Sequence, residues 1–162
     1  IVIGPRNEDD ILNLIGNGFS SGNIIGMDLI SYSPFIEIGD MHSMRFGDGH
    51  FDVVICGWTL SYSNEPRKFA MEVLRVLRNG GVVGIGVEYS TLTEEESLSV
   101  HGGYHLKPDS IERINSVGQI LELFDGSVAQ VFFSHDAPNK ISHGRSQVSD
   151  VSNVIAIFSI KK

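Results

Sequence analysis

Two aspartates carry the clearest chemical signal in this sequence. Asp28 ends the apolar run Asn23 to Asp28, and Asp40 follows the short run Phe35-Ile36-Glu37-Ile38. In open α/β sheets, ligands bind beyond the carboxyl ends of the parallel strands. An acid closing the second strand there can accept both hydroxyls of a ribose, a common way of holding adenosine-containing cofactors. An acid after the next strand can accept the exocyclic amine of an adenine. Each acid alone would also suit a solvated turn; the pair points to a nucleoside pocket. Gly4 ends Ile1-Val2-Ile3, and Gly57-Trp58 ends FDVVICGW, so both belong to the same set of strand ends.

The remaining reactive side chains have plainer readings. Cys56, inside an apolar strand, reads as a small core hydrophobe rather than a nucleophile. Trp58 suits either core or pocket lining. Gly39, Gly57 and Gly86 also fit as packing glycines, and for Gly86 that reading is preferred. Of six histidines only His42 sits at a strand-end turn; His101 and His105 flank Gly102-Gly103, and no spacing suggests a metal site. Glu94-Glu95-Glu96 reads as a solvated loop. If a general base is needed, His42, Tyr62, Glu88 and His105 are the candidates, so the catalytic residue is left unassigned.

The elements that position these residues follow from periodicity. Ile1 to Gly4, Asn23 to Asp28, Phe51 to Trp58 and Gly81 to Tyr89 read as buried strands, with Phe35 to Ile38 a short addition. Val128 to Ser134 and Val154 to Ile160 supply two more. Ile11, Leu12, Ile15 and Phe19 suggest a first helix, stopped by Asn17-Gly18. Pro66 starts a second, in which Ala70, Val73, Leu74 and Leu77 share a face and Asn79-Gly80-Gly81 ends it. A third is expected from Lys107-Pro108-Asp109, with Asp109 and Glu112 at capping-box spacing and Ile114, Val117, Leu121 and Phe124 inward. Strands alternating with helices predict a mostly parallel sheet covered on both faces, a three-layer α/β/α domain. The helix-free link between the last two strands predicts an antiparallel end.

Composition bounds the function. The chain has 162 residues, 12 Lys+Arg against 20 Asp+Glu, a net charge of −8 and one Cys. That length suits a single domain, residues 1–162. The negative balance argues against nucleic acid or an anionic membrane as partner. A lone cysteine and no run of roughly 20 apolar residues predict a cytoplasmic protein. Because the chain opens inside an apolar strand, an N-terminal segment is expected to be missing upstream. The face around Ile1 to Gly4 then needs cover, from the remaining helices or from a second copy in a homo-oligomer.

The stretches GMDLI, GDMHSMRFGDGHFDVVICGWTLSYSNEP and EVLRVLRNGGVVGIGVEY, in this order and spacing, resemble the class I S-adenosylmethionine-dependent methyltransferases of the type 11 kind. The resemblance implies a Rossmann-like fold, S-adenosylmethionine as cofactor and methyl transfer to a small-molecule acceptor. It makes Asp28 the ribose acid and Asp40 the adenine-amine acceptor, with Gly39 before it and Met41 beside the ring. Gly57 and Trp58 face the methionine part, and Gly4 matches the first glycine of the family's Gly-rich turn. The sequence departs from the family in three places. The first turn reads Gly4-Pro5-Arg6-Asn7-Glu8 rather than GxGxG, which implies a changed fit there. Only six residues separate Asp28 from Phe35, too few for a crossover helix. The family's N-terminal capping helix has no counterpart. Two other readings therefore stay open: an inactive methyltransferase-fold binding module, and a nicotinamide-dependent oxidoreductase, which the absent GxGxxG disfavours. The polar segments Ser90 to Lys107 and His135 to Asn153 read either as solvated loops without a role or as loops bordering an acceptor pocket, with Tyr89, Tyr104 and His105 as contacts.

Overall fold

The computed structural model describes residues 1–5, 7–90, 114–136 and 151–162. Its strands are β1 (Val2–Ile3), β2 (Gly26–Asp28), β3 (Ile36–Ile38), β4 (Phe51–Gly57), β5 (Leu77–Ser90), β6 (Val128–His135) and β7 (Val151–Ile160). The helices are α1 (Asp9–Gly16), α2 (Pro66–Val76) and α3 (Val117–Glu122). The seven strands form one sheet in the order β3-β2-β1-β4-β5-β7-β6. From β3 to β5 the pairing is parallel, while β7 runs antiparallel to both β5 and β6. The mostly parallel sheet with an antiparallel end is thus as the sequence predicts.

Side-chain alternation assigns the two faces. In β1 and β2, Ile3 and Met27 join the core formed with Phe69, Val73 and Val76 of α2 and with Ile120 of α3. On the other face a side chain at Gly26 would meet Ile11 of α1 at 2.8 Å, so α1 packs there, against the opposite side. α2 begins at Pro66, whose missing N–H and fixed φ suit the first helical turn.

Several expected boundaries move. α2 stops at Val76, and Leu77 is already extended (φ −84°, ψ 138°), so Leu77 is a buried strand residue and not the end of the helical face. The pairing Phe51↔Leu77 draws it into the sheet. In α1 only Ile11 is buried; Leu12 and Phe19 are exposed, Phe19 lying beyond the helix end. α3 begins at Val117, capped by Ser116 Oγ, which accepts from Gln119 N–H at 3.2 Å. Ile114 is therefore a buried residue ahead of the helix, and the expected start at 107–109 lies outside the described residues.

The link from β2 to β3, residues 29–35, contains no helix, and β3 is three residues long. Serine side chains shape it instead. Ser33 Oγ donates to Glu8 Oε1 at 2.5 Å, and Ser31 Oγ accepts from Ser33 N–H at 3.2 Å. The link is thereby tied to the turn after β1.

Candidate cofactor site

The carboxyl ends of β1, β2, β3 and β4 all face one edge, because these strands are parallel and adjacent. Gly4 follows β1 with φ +67°, a conformation that favours glycine. A Cβ at this position would stand 1.8 Å from Thr59 Oγ1. Thr59 Oγ1 in turn donates to Gly4 O (3.1 Å), joining the turns after β1 and β4. Pro5 is buried behind that turn.

Asp28 ends β2 half-buried, and its Oδ1 accepts from Leu29 N–H at 2.6 Å. Among the described residues this is the one protein contact to that carboxylate, so acceptor capacity is left for a ligand. Gly39 packs against Met27: a Cβ there would lie 2.8 Å from Sδ, and Gly39 N–H donates to Asp28 O (2.8 Å). Gly39 thus brings the turn after β3 close to Asp28.

Asp40 is exposed. Its Oδ1 accepts from His42 N–H (2.8 Å) and lies 2.7 Å from His42 Nδ1. The His42 backbone bond, with its ring alongside, holds the Asp40 carboxyl below the usual carboxylate range. Met41 is half-buried against the core.

Trp58 takes the left-handed conformation (φ 66°), unusual for a bulky residue and found mainly at functional turns. Its N–H donates to Gly86 O (2.7 Å), and its ring lies over Gly86, 3.6 Å from where a Cβ would stand. Gly86 is therefore a packing glycine, while Trp58 stays 38% exposed at the edge. A Cβ at Gly57 would meet nothing within 4 Å, so its role is not close packing.

The structure thus brings Gly4, Asp28, Gly39, Asp40, Met41, Gly57 and Trp58 to a single edge. It adds two residues the sequence did not single out, Thr59 and Ser63. Ser63 is the one buried polar residue among those described, and its Oγ lies 2.7 Å from His42 Nε2. His42 therefore uses both ring nitrogens within the protein. No short-range motif announces these partners, since they lie 21 residues apart in the chain.

Other expectations resolve differently. Cys56 is fully buried, and desolvation pushes its thiol up to about 12, as befits a core residue. Tyr62 is exposed and Glu88 half-buried, while Tyr104, His105 and residues 94–96 lie outside the described residues. The two long-loop expectations also fall chiefly on residues outside them. Among the described residues no cluster of His, Cys, Asp or Glu could hold a metal, and no helix is long and apolar enough to cross a membrane. A cavity of about 690 Å³ opens at the opposite edge of the sheet, lined by Ile1, Phe19, Asn23, His50 and Asp52 among others. Asp52 there is paired with Arg78 at 2.6 Å. That cavity offers no equivalent of the Asp28 and Asp40 pair.

Comparison with known proteins bears on the family and the fold. Residues 20–85 match the methyltransferase domain family. The human thiol S-methyltransferase TMT1B is 39% identical over 54 residues, covering 33% of this chain and 22% of that protein. The match therefore spans less than a quarter of that relative. Among solved structures, a chain from a complex of the Haloferax volcanii Trm112 methyltransferase activator superimposes with a TM-score of 0.65 at 15% identity, covering 99% of this chain and 81% of that one. Geranyl diphosphate methyltransferase, in complex with GPP and sinefungin, gives 0.66 at 13% identity, with 98% and 69% covered. The CurJ carbon methyltransferase gives 0.67 at 13%, with 99% and 48% covered. At these identities the structures speak to the fold.

Proposed function

From the premise that this chain is a class I methyltransferase domain, we propose that it binds S-adenosylmethionine at the carboxyl edge of β1 to β4 and transfers its methyl group to a small molecule. The observation that carries this reading is the pair of acids in the turns at the carboxyl ends of adjacent parallel strands, each with a carboxylate oxygen that no described residue engages. Asp28 would accept from the ribose hydroxyls, and Asp40 from the adenine amine, with Met41 beside the ring. The Gly4 turn would present its backbone to the ligand, the space of its missing side chain being taken by Thr59. Gly57 and Trp58 border the methionine end, where the reacting atoms would lie.

When bound, the cofactor supplies a methyl group already activated on sulfur, so the chemistry needs no protein nucleophile. The chain's own part is orientation and exclusion of water, which can lower the barrier greatly without a triad. Trp58 offers an apolar wall suited to that exclusion. The net charge of −8 favours a neutral or cationic acceptor over nucleic acid. The curated relative acts on a thiol and one structural neighbour on geranyl diphosphate, both small acceptors, which supports the same class here.

One observation favours a second reading, a binding module that has lost activity. The turn after β1 departs from the family's GxGxG pattern, and Thr59 packs into the space a side chain at Gly4 would take. Calorimetric titration with S-adenosylhomocysteine, with NAD in parallel, separates the possibilities. Saturable binding of the homocysteine ligand and none of NAD is expected. Binding without turnover on any thiol, hydroxyl or amine acceptor would favour the module, and preference for NAD would overturn both readings.

A further inference from the structure

The sheet order places two strands between β3 and β4, so their carboxyl ends stand roughly 14 Å apart at about 4.8 Å per strand. The turns that follow them are nevertheless joined. His42, after β3, reaches Ser63, after β4, through a 2.7 Å contact from Nε2 to Oγ. Its other ring nitrogen meets Asp40 Oδ1 at 2.7 Å. Ser63 Oγ also accepts the N–H of Glu65, at the start of α2, at 3.1 Å.

The Asp40 contact fixes the proton on His42 Nδ1, and in the neutral ring the direction of the Ser63 bond follows from it. The Asp40 carboxylate can only accept, so His42 Nδ1 carries the hydrogen. In the neutral ring Nε2 is then an acceptor, and the Ser63 hydroxyl donates to it. A continuous chain of donation results: Glu65 N–H to Ser63, Ser63 to His42, His42 to Asp40. Bonds in such a chain polarise one another in one direction. The order Ser-His-Asp is that of a hydrolytic triad, but Ser63 is 1% exposed and cannot reach a substrate. The chain must act on its other end, at Asp40, which is exposed.

There its effect is specific. The His42 backbone N–H and ring N–H both converge on Oδ1, which leaves Oδ2 as the oxygen able to accept from a ligand. We infer that His42 and Ser63 are positioning residues that hold the Asp40 carboxylate with one oxygen turned to the pocket, and so set the preference for adenine over a 6-oxopurine. An amine at that position donates to the fixed oxygen; a carbonyl there would face it with a second acceptor. This rests on the assignment of Asp40 to the adenine amine given above.

The test compares S-adenosylhomocysteine with S-inosylhomocysteine by calorimetry. Wild-type protein and the variants Asp40→Asn, His42→Ala, His42→Asn and Ser63→Ala are each titrated with both ligands, and thermal unfolding is followed in each. Wild type is expected to prefer the adenine ligand by about tenfold or more, the ratio a single lost hydrogen bond gives. His42→Ala and Ser63→Ala should lower that ratio several-fold, as Asp40→Asn does, with little change toward the inosine ligand. His42→Asn, whose side-chain amide can donate near the Nδ1 position, should recover part of it. Purely structural damage would weaken both ligands alike and leave the ratio unmoved, which would overturn the positioning role. If Asp40→Asn lowers the ratio while His42→Ala and Ser63→Ala do not, the relay is wrong and the cofactor reading stands. If Asp40→Asn leaves the ratio unchanged, the adenine assignment fails and the relay with it. Should His42→Ala not fold, Ser63→Ala and His42→Asn carry the same comparison.

Discussion

Gly4 combines a left-handed backbone with Thr59 packed where a side chain would begin. Gly4→Ala should therefore destabilise the protein by about 1–3 kcal/mol from backbone strain alone, with the overlap adding to it. Urea unfolding measures this, and an unchanged midpoint would contradict the geometry. Asp28→Ala should weaken S-adenosylhomocysteine binding by about 1–3 kcal/mol, because buried ribose hydroxyls would lose their acceptor. Equal affinity would remove Asp28 from the site. Trp58 is the single tryptophan of the sequence, so its fluorescence reports this turn alone. A saturable change in emission on titration is expected, and a flat response would place the ligand elsewhere. The placement of Asp28, Asp40 and Trp58 at strand-end turns was legible in the sequence because each ends or closely follows an apolar run. Thr59 and Ser63 were not, since their partners Gly4 and His42 come near only when the strands assemble.

The loop from β3 to β4 is held to α2 by one arginine. Arg75 donates through Nε and Nη2 to both oxygens of Glu72 at 2.8 Å, and to the carbonyls of Phe46 (2.7 Å) and Met44 (2.8 Å). Glu72 Oε2 also accepts from Met44 N–H at 2.7 Å. The hydrogen bond from Arg75 is the chief reason the Glu72 carboxyl is held below its usual range, with the Met44 N–H aiding it against burial. A depressed folded value means that this stabilisation is complete above the ordinary glutamate value and is lost as pH falls through the depressed one. Glu72→Gln should thus be less stable than wild type at neutral pH, with the gap closing below about pH 4. Denaturant unfolding across that range decides it, and a gap independent of pH would contradict the ion pair. Ser116→Ala should cost about 1 kcal/mol, the usual value of an N-cap. The start of α2 was legible from Pro66 and its apolar spacing. Its end was not, because strand pairing at Leu77 overrides helical periodicity.

The parallel half of the sheet and its antiparallel end were readable from the alternation of runs and the helix-free link. The order β3-β2-β1-β4 was not, since it depends on which strands pair, but it is what gathers four turns at one edge. The cavity at the opposite edge, lined by Asn23, His50 and Asp52, provides the contrast. Hydrogen exchange with and without S-adenosylhomocysteine distinguishes the two edges directly. Protection should appear at the amides of Gly4, Leu29, Met41, His42 and Trp58, and the amides of Asn23, His50 and Asp52 should not change. Protection confined to those last three, or absent at both edges under saturating ligand, would contradict a cofactor site at the carboxyl ends of β1 to β4.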